Sequence, residues 1–230
     1  MKRFLNRREA GIELAEKLGH YAGRGDVVVS GLARGGVPVA FEVARVLRAP
    51  LDVLVVRKLG APAHQELAIG AIATGGIRVL NPEVIQLLGV TTDDVERETA
   101  LEQRELERRE HMYRGSRPAV NVNGRTVIVV DDGLATGATM HAAVTALRKQ
   151  HAAEIIVAAP VVAGDTCKYL RTVADDCKYV YALEPLYGVG LWYEDFSETS
   201  DAEVRSLLET ATRNTLPVTR RRTYQHQENQ

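Results

Sequence analysis

The chain's 230 residues, 45% of them hydrophobic, suffice for one substantial core with a small appended lobe. Its 29 basic and 30 acidic residues leave a net charge of −1, so neither a basic face for nucleic acid nor an acidic tail stands out. The longest apolar runs have the length of strands, which argues against a membrane span, and no apolar core follows the basic residues of 1–11 to make a secretory signal.

Residues 6–18 carry Ile12, Leu14, Ala15 and Leu18 among charges, the pattern of an amphipathic helix. Residues 26–30 form a β-branched run that reads as a buried strand, followed by a glycine-bearing turn over 31–36 and a helix over 37–47 with Pro38 in its first turn. A second strand is expected over 51–56. Gly60, Pro62, Gly70, Gly75 and Gly76 then mark residues 60–80 as a loop and hairpin excursion, with a strand-like run at 67–73. Residues 92–114 suit a long charged helix, with Asp93/Arg97, Glu105/Arg109 and Glu110/Arg114 at acid-first i,i+4 spacing. Its stripe of Val95, Leu101, Leu106 and Tyr113 is sparse, which suits a solvated surface helix, a partner-binding helix being the alternative. Further along come a strand over 127–130, a helix over 138–150, a strand over 154–159, a helix over 165–173 and a strand over 179–183; the polar tail 217–230, with Arg220, Arg221 and Arg222, is expected to be mobile.

Strands alternating with helices imply an α/β fold, a parallel sheet flanked by helices on both faces, in a single domain over 1–216 with an insertion at 60–115. Ligands of such sheets bind beyond the carboxyl ends of the strands, so the turns after Ser30 and Val130 are where chemistry is expected. Cys167 and Cys177 sit in no CxxC or metal spacing and read as buried or half-buried free thiols in a reducing compartment, with cytoplasm the expected location. The six histidines are scattered, none at HxxxH spacing, and make no zinc site.

The strongest signal is the segment 127–139, VIVVDDGLATGAT. An apolar strand runs into Asp131 and Asp132, a turn of small residues follows, and a helix starts behind it. A helix N-terminus offers free N–H groups and positive potential to an anion. Gly133, Gly137 and Ala138 let the backbone close around a phosphate, and Thr136 and Thr139 add hydroxyls. Adjacent carboxylates repel a phosphate; they suit sugar hydroxyls or the water shell of a magnesium ion. A sugar phosphate with vicinal hydroxyls satisfies both halves.

This segment resembles the phosphoribosyl pyrophosphate (PRPP) signature of type I phosphoribosyltransferases; it is not a Walker A loop, because no GK[ST] follows the glycines. The resemblance implies a Rossmann-like fold with a flexible loop and a hood over residues 184–200, and a homodimer. It implies a magnesium-dependent transfer of the phosphoribosyl group from PRPP to a small heterocyclic acceptor with release of diphosphate. Asp131 and Asp132 are then expected to hold the ribose hydroxyls and, through water, Mg2+. Ala135, Thr136, Gly137, Ala138 and Thr139 are expected to cradle the 5-phosphate. Ala135 stands where 6-oxopurine transferases usually carry an aspartate, which moves the expectation away from hypoxanthine and guanine. The turn Ala33, Arg34, Gly35 resembles the family's pyrophosphate loop, with a cis or strained Ala33–Arg34 peptide, and Arg34 suited to a diphosphate by its planar fork. Arg57 and Lys58 are either further diphosphate contacts or solvated charges at a strand end. Glu66, in a loop over 60–76 expected to close over the reaction, is a candidate for base recognition or proton transfer, or an exposed hairpin glutamate. Trp192, Tyr193 and Asp195 form either the acceptor-binding surface of the hood or the core of a small lobe. A PRPP-sensing regulator or a PRPP-binding hydrolase on the same fold is the alternative; neither nucleic acid nor membrane is an expected partner.

Overall fold

The structure, a computed structural model, describes residues 2–62 and 64–215; the tail expected over 217–230 lies outside the described residues. Asn6 opens α1 (Arg7–Lys17), its Oδ1 accepting the N–H groups of Arg8 and Glu9 at 3.0 and 3.1 Å. The helix buries Ala10, Gly11, Leu14 and Ala15, whereas Ile12, counted into the stripe from sequence, is 38% exposed.

The chain then runs through β1 (Val27–Leu32), α2 (Gly36–Leu47) and β2 (Leu51–Leu54), and resumes the same layer with β6 (Thr126–Val130), α5 (Ala138–Lys149), β7 (Glu154–Ala163), α6 (Gly164–Leu170) and β8 (Asp176–Leu183). These five strands form one parallel sheet in the order β2-β1-β6-β7-β8, with helices on both faces. Every residue of β6 is buried. Val127 and Val129 face the α5 side with Met140 and Val144, while Ile128 and Val130 face the α2 side with Val39 and Val43, the two-residue period of a strand buried on both faces. From β1 the chain goes by α2 to β2 on one side, and β6 pairs on the other. The strand order therefore reverses between β1 and β6, the switch point where such sheets open a crevice at their carboxyl edge.

Between β2 and β6 the chain leaves this sheet. β3 (Val56–Ala61), β4 (His64–Ala73) and β5 (Ile77–Leu80) form a separate antiparallel sheet, followed by α3 (Pro82–Leu87) and α4 (Thr92–Arg114). The break falls at Val55, whose N–H donates to Thr74 Oγ1 and whose carbonyl accepts the Thr74 N–H, both at 2.9 Å. The single strand expected over 51–56 is thus two strands of two sheets, and Arg57 and Lys58 lie inside β3 rather than at the end of a parallel strand. The excursion over 60–80 is a paired hairpin with a third strand, β5, which its four residues made too short to read.

α4 has the bounds expected and starts on a reciprocal cap between Thr91 and Asp94. Arg109 and Arg114 pair with Glu105 and Glu110 at 2.8 and 3.1 Å, while Arg97 takes Asp94 at 3.0 Å in place of Asp93. The helix packs on β3 and β4 and is not wholly solvated: Arg114 is buried, and its Nε and Nη2 reach the Asp52 carboxylate on β2 at 2.8 and 3.3 Å. That ion pair ties the small sheet's helix to the edge of the large sheet.

Cys167 on α6 and Cys177 on β8 form a disulfide, their Cα atoms 5.9 Å apart. This contradicts the free thiols expected from sequence: the short α6 folds back on β8, so two buried cysteines on one face of the sheet come within bridging distance. The argument from thiols for a reducing compartment goes with them. No helix among the described residues is long and apolar enough to cross a membrane.

The segment 192–195, within the region expected as a hood, runs alongside Phe4 and Leu5. The Phe4 N–H donates to the Trp192 carbonyl at 2.9 Å and the Glu194 N–H to the Phe4 carbonyl at 2.8 Å, around a small core of Phe4, Ala10, Val161, Leu183 and Tyr193. Beyond it, α7 (Asp201–Thr215), not anticipated from sequence, buries Val204 and Leu208 and accepts the Tyr113 hydroxyl at Asp201 (2.7 Å). Asp52→Ala, which leaves the Arg114 guanidinium buried without its main partner, is expected to cost about 3 kcal/mol in urea unfolding. Glu96→Ala, which breaks an exposed pair with Arg78 at 2.8 Å, is expected to cost less than about 1 kcal/mol.

Candidate functional site

β6 delivers Asp131 and Asp132 to the switch point. The Asp131 N–H continues the sheet to the Ala158 carbonyl at 3.1 Å, and the Asp132 N–H turns back onto Asp131 Oδ1 at 2.8 Å. Burial and the neighbouring Asp132 charge push the Asp131 carboxyl well above the usual carboxylate range. Burial also raises Asp132, opposed by Arg7, whose Nε lies 2.9 Å from Asp132 Oδ2. The buried Tyr193 donates its hydroxyl to the Asp132 carbonyl at 2.6 Å.

The loop to α5 is anchored by one apolar residue. Leu134 is buried and bridges to β7, exchanging hydrogen bonds with Val161 and Ala163 at 2.9 Å each. On either side of Gly137 the chain lies outermost: Ala135, Thr136, Ala138 and Thr139 are exposed. Thr166 Oγ1 holds the Ala135 carbonyl, which fixes the loop from behind. Gly137 caps α5 at φ 74°, a conformation other residues resist, and a Cβ there would meet Thr166 Cγ2 at 2.7 Å. No side chain caps this helix, and the N–H groups of Ala135, Thr136, Gly137, Ala138 and Thr139 donate no hydrogen bond among the described residues. Five consecutive free donors at an uncapped helix N-terminus form an anion cradle.

The turn after β1 faces the acids. Its Ala33–Arg34 peptide is cis, as the sequence resemblance implied. Gly35 and Gly36 have ordinary backbone angles; it is space that requires them. A Cβ on Gly35 would collide with the Asp132 carboxylate, and one on Gly36 with the Val130 carbonyl. Arg34 binds the Glu198 carboxylate and lies 3.8 Å from Asp201. Arg7, Arg34, Gly35, Asp132, Phe196 and Glu198 line the resulting cleft of about 400 Å3.

The remaining candidates are dispersed. Arg57 is turned to α4, with Nε 2.5 Å from Glu102 Oε2, and Lys58 donates to the Glu66 carbonyl at 3.2 Å. Glu66 is exposed on β4, its side chain without an ion pair or hydrogen bond among the described residues. Trp192 is half-buried against Tyr181, and Asp195 is exposed, accepting the Ser197 N–H at 2.9 Å. Sequence reasoning missed Arg7 and Glu198: nothing in the run Asn6, Arg7, Arg8, Glu9 separates Arg7 from the exposed Arg8, until the Asn6 cap fixes which arginine turns inward.

Asp131 and Asp132 offer hard oxygen donors, and no group of three His, Cys, Asp or Glu able to hold a metal exists among the described residues. A magnesium ion fits such a pair, since it is usually held by one or two carboxylates together with waters and substrate oxygens.

A family model described as the phosphoribosyl transferase domain matches residues 3–182. The Mycobacterium tuberculosis protein Rv0571c, named provisionally as a phosphoribosyl transferase, is 44% identical over 216 residues. That match takes in 93% of this chain and 48% of the relative, so the chain spans about half the length of the curated relatives it matches. The crystal structure of TT1426 from Thermus thermophilus aligns with a TM-score of 0.79 at 40% identity, covering 90% of this chain and 97% of that one. Gly36→Ala, which drives a methyl group into the β6 backbone, is expected to lower stability by about 2 kcal/mol in thermal unfolding.

Proposed function

The chain belongs to the phosphoribosyl transferase domain family, and on that premise we propose that it transfers the 5-phosphoribosyl group of PRPP to a ring nitrogen of a heterocyclic base, releasing diphosphate, with Mg2+ as cofactor. The observation that carries this reading is the row of five free N–H groups at residues 135–139, directly after the paired carboxylates Asp131 and Asp132. Donors suited to a phosphate and acceptors suited to hydroxyls are then set along one turn, as the two ends of a ribose 5-phosphate require.

In the reaction the bond from the anomeric carbon to the diphosphate oxygen breaks, a bond to the acceptor nitrogen forms, and the proton of that nitrogen passes to Glu66 or, through water, to the departing diphosphate. Residues 135–139 hold the 5-phosphate, and Asp131 and Asp132 accept the ribose hydroxyls, orienting the anomeric carbon toward the cleft. Arg34 and the backbone of Ala33 and Gly35 receive the diphosphate, Arg34 exchanging Glu198 for it. Magnesium, when bound beside Asp131 and Asp132, supplies positive charge against the departing anion. Trp192 and Asp195 border the acceptor, and Tyr193 supports it from beneath by holding the Asp132 carbonyl. Glu66, exposed and unpaired on the β3–β4 hairpin, meets the acceptor if that hairpin closes; Arg57 and Lys58 belong to the same element. A homodimer completes the proposal.

Ala135, where 6-oxopurine transferases carry an acid, favours an adenine-like acceptor over a 6-oxopurine. A screen of purine and pyrimidine bases for PRPP-dependent diphosphate release tests the reading; no release with any base would oppose it. Asp131→Asn combined with Asp132→Asn is expected to keep its circular dichroism and to weaken magnesium-PRPP binding at least about tenfold, or 1.4 kcal/mol, by calorimetry.

A further inference from the structure

We propose that Arg7 is a positioning residue that couples the PRPP half of the cleft to the hood; the proposal rests on the phosphoribosyl-transfer reading. Its guanidinium makes three contacts at once. Nε lies 2.9 Å from Asp132 Oδ2, Nη1 donates to the Ser197 carbonyl at 2.7 Å, and the central carbon lies 4.0 Å from the centroid of the Phe196 ring. The side chain is only 12% exposed.

The contacts close on themselves. Phe196 packs on Tyr193 with ring centroids 5.0 Å apart, and the Tyr193 hydroxyl donates to the Asp132 carbonyl at 2.6 Å. Asp132 is therefore gripped by its side chain through Arg7 and by its backbone through Tyr193, and both grips end on the hood segment 193–197. Arg7, with Thr199, lines both the cleft that holds Arg34 and Asp132 and a second cavity of about 250 Å3 bordered by Asn6, Pro38 and Asp195. A ligand or metal that draws on the Asp132 carboxylate must shift the charge balance of Arg7, and Arg7 carries the shift to Ser197 and Phe196. A planar guanidinium serves a carboxylate, a carbonyl and a ring face in fixed directions; an ammonium carries three donors but is a point charge on a flexible stem and does not fix them.

Trp192, the chain's sole tryptophan, adjoins Tyr193 in the hood and reports on it. The test adds saturating magnesium-PRPP to the parent chain, Arg7→Lys and Arg7→Met. Binding is read by calorimetry and the hood by Trp192 fluorescence. The parent is expected to bind with a change in fluorescence. Arg7→Met is expected to bind, weakened no more than about tenfold, with the fluorescence change abolished, and Arg7→Lys to bind more nearly as the parent does with at most half the change. A parent that binds without a fluorescence change overturns the coupling while leaving the phosphoribosyl reading intact, as does an Arg7→Met variant that keeps the full change. Folded variants that no longer bind at saturation also overturn it, because Arg7 would then hold the ligand itself. A parent that does not bind PRPP overturns the phosphoribosyl reading, and the coupling falls with it.

Discussion

Two carboxylates in succession at the end of a strand buried on both faces pose an electrostatic problem, and the surroundings of β6 are arranged around it. Asp131 lies where burial and its neighbour both oppose ionisation. Among the described residues Arg7 is the only cation paired with either acid. Relief also comes from the backbone, through the Asp132 N–H on Asp131 Oδ1, while the Tyr193 hydroxyl fixes the Asp132 carbonyl and leaves its carboxylate to Arg7. Gly35 and Gly36 follow from the same constraint, since any side chain there would displace the acids or the strand that presents them. An acid pair kept so short of positive charge is suited to a cation and hydroxyl donors brought by a ligand.

The opposite character of the adjoining loop gives the site its polarity along the sheet edge. Residues 135–139 present donors without acceptors, and residues 131 and 132 acceptors with few donors. Leu134 divides the two, buried and bridged to β7, so neither half can slide relative to the other. Arg34 completes the cleft from the other side of the switch point, held meanwhile by Glu198. The small antiparallel sheet is attached through Val55 and Thr74, next to Leu54, whose carbonyl accepts the Ala33 N–H at 3.1 Å, and its helix α4 through the Asp52–Arg114 pair.

Much of the fold was legible because its signals are local. Residues 127–130 are wholly apolar and run into acids and glycines, so strand, turn and helix could be read in one pass, and α4 carries its own cap and charge pairs. The positions that gather at the sheet edge, from Asp131 to Thr139 and around Arg34, were legible for the same reason: the chemistry is consecutive in the chain. What escaped is what only tertiary contact creates. Arg7 and Asp132 are 125 residues apart, and one arginine among several near the N-terminus carries no mark of its partner. Tyr193 looked like an aromatic for stacking and is a buried hydroxyl donor. The cysteines had no motif because their pairing depends on how α6 folds onto β8. The strand over 51–56 was misread as one because its apolar run continues across a change of sheet, and Thr74, which marks the change, is 19 residues away.

The central claim is that residues 131–139 bind the two ends of a phosphorylated ribose. A crystal structure of the chain with PRPP and magnesium tests it most directly. The expected density places the 5-phosphate on the N–H groups of residues 135–139 and the ribose hydroxyls on Asp131 and Asp132. A phosphate bound elsewhere, with residues 135–139 left to solvent at saturating ligand, would contradict the account.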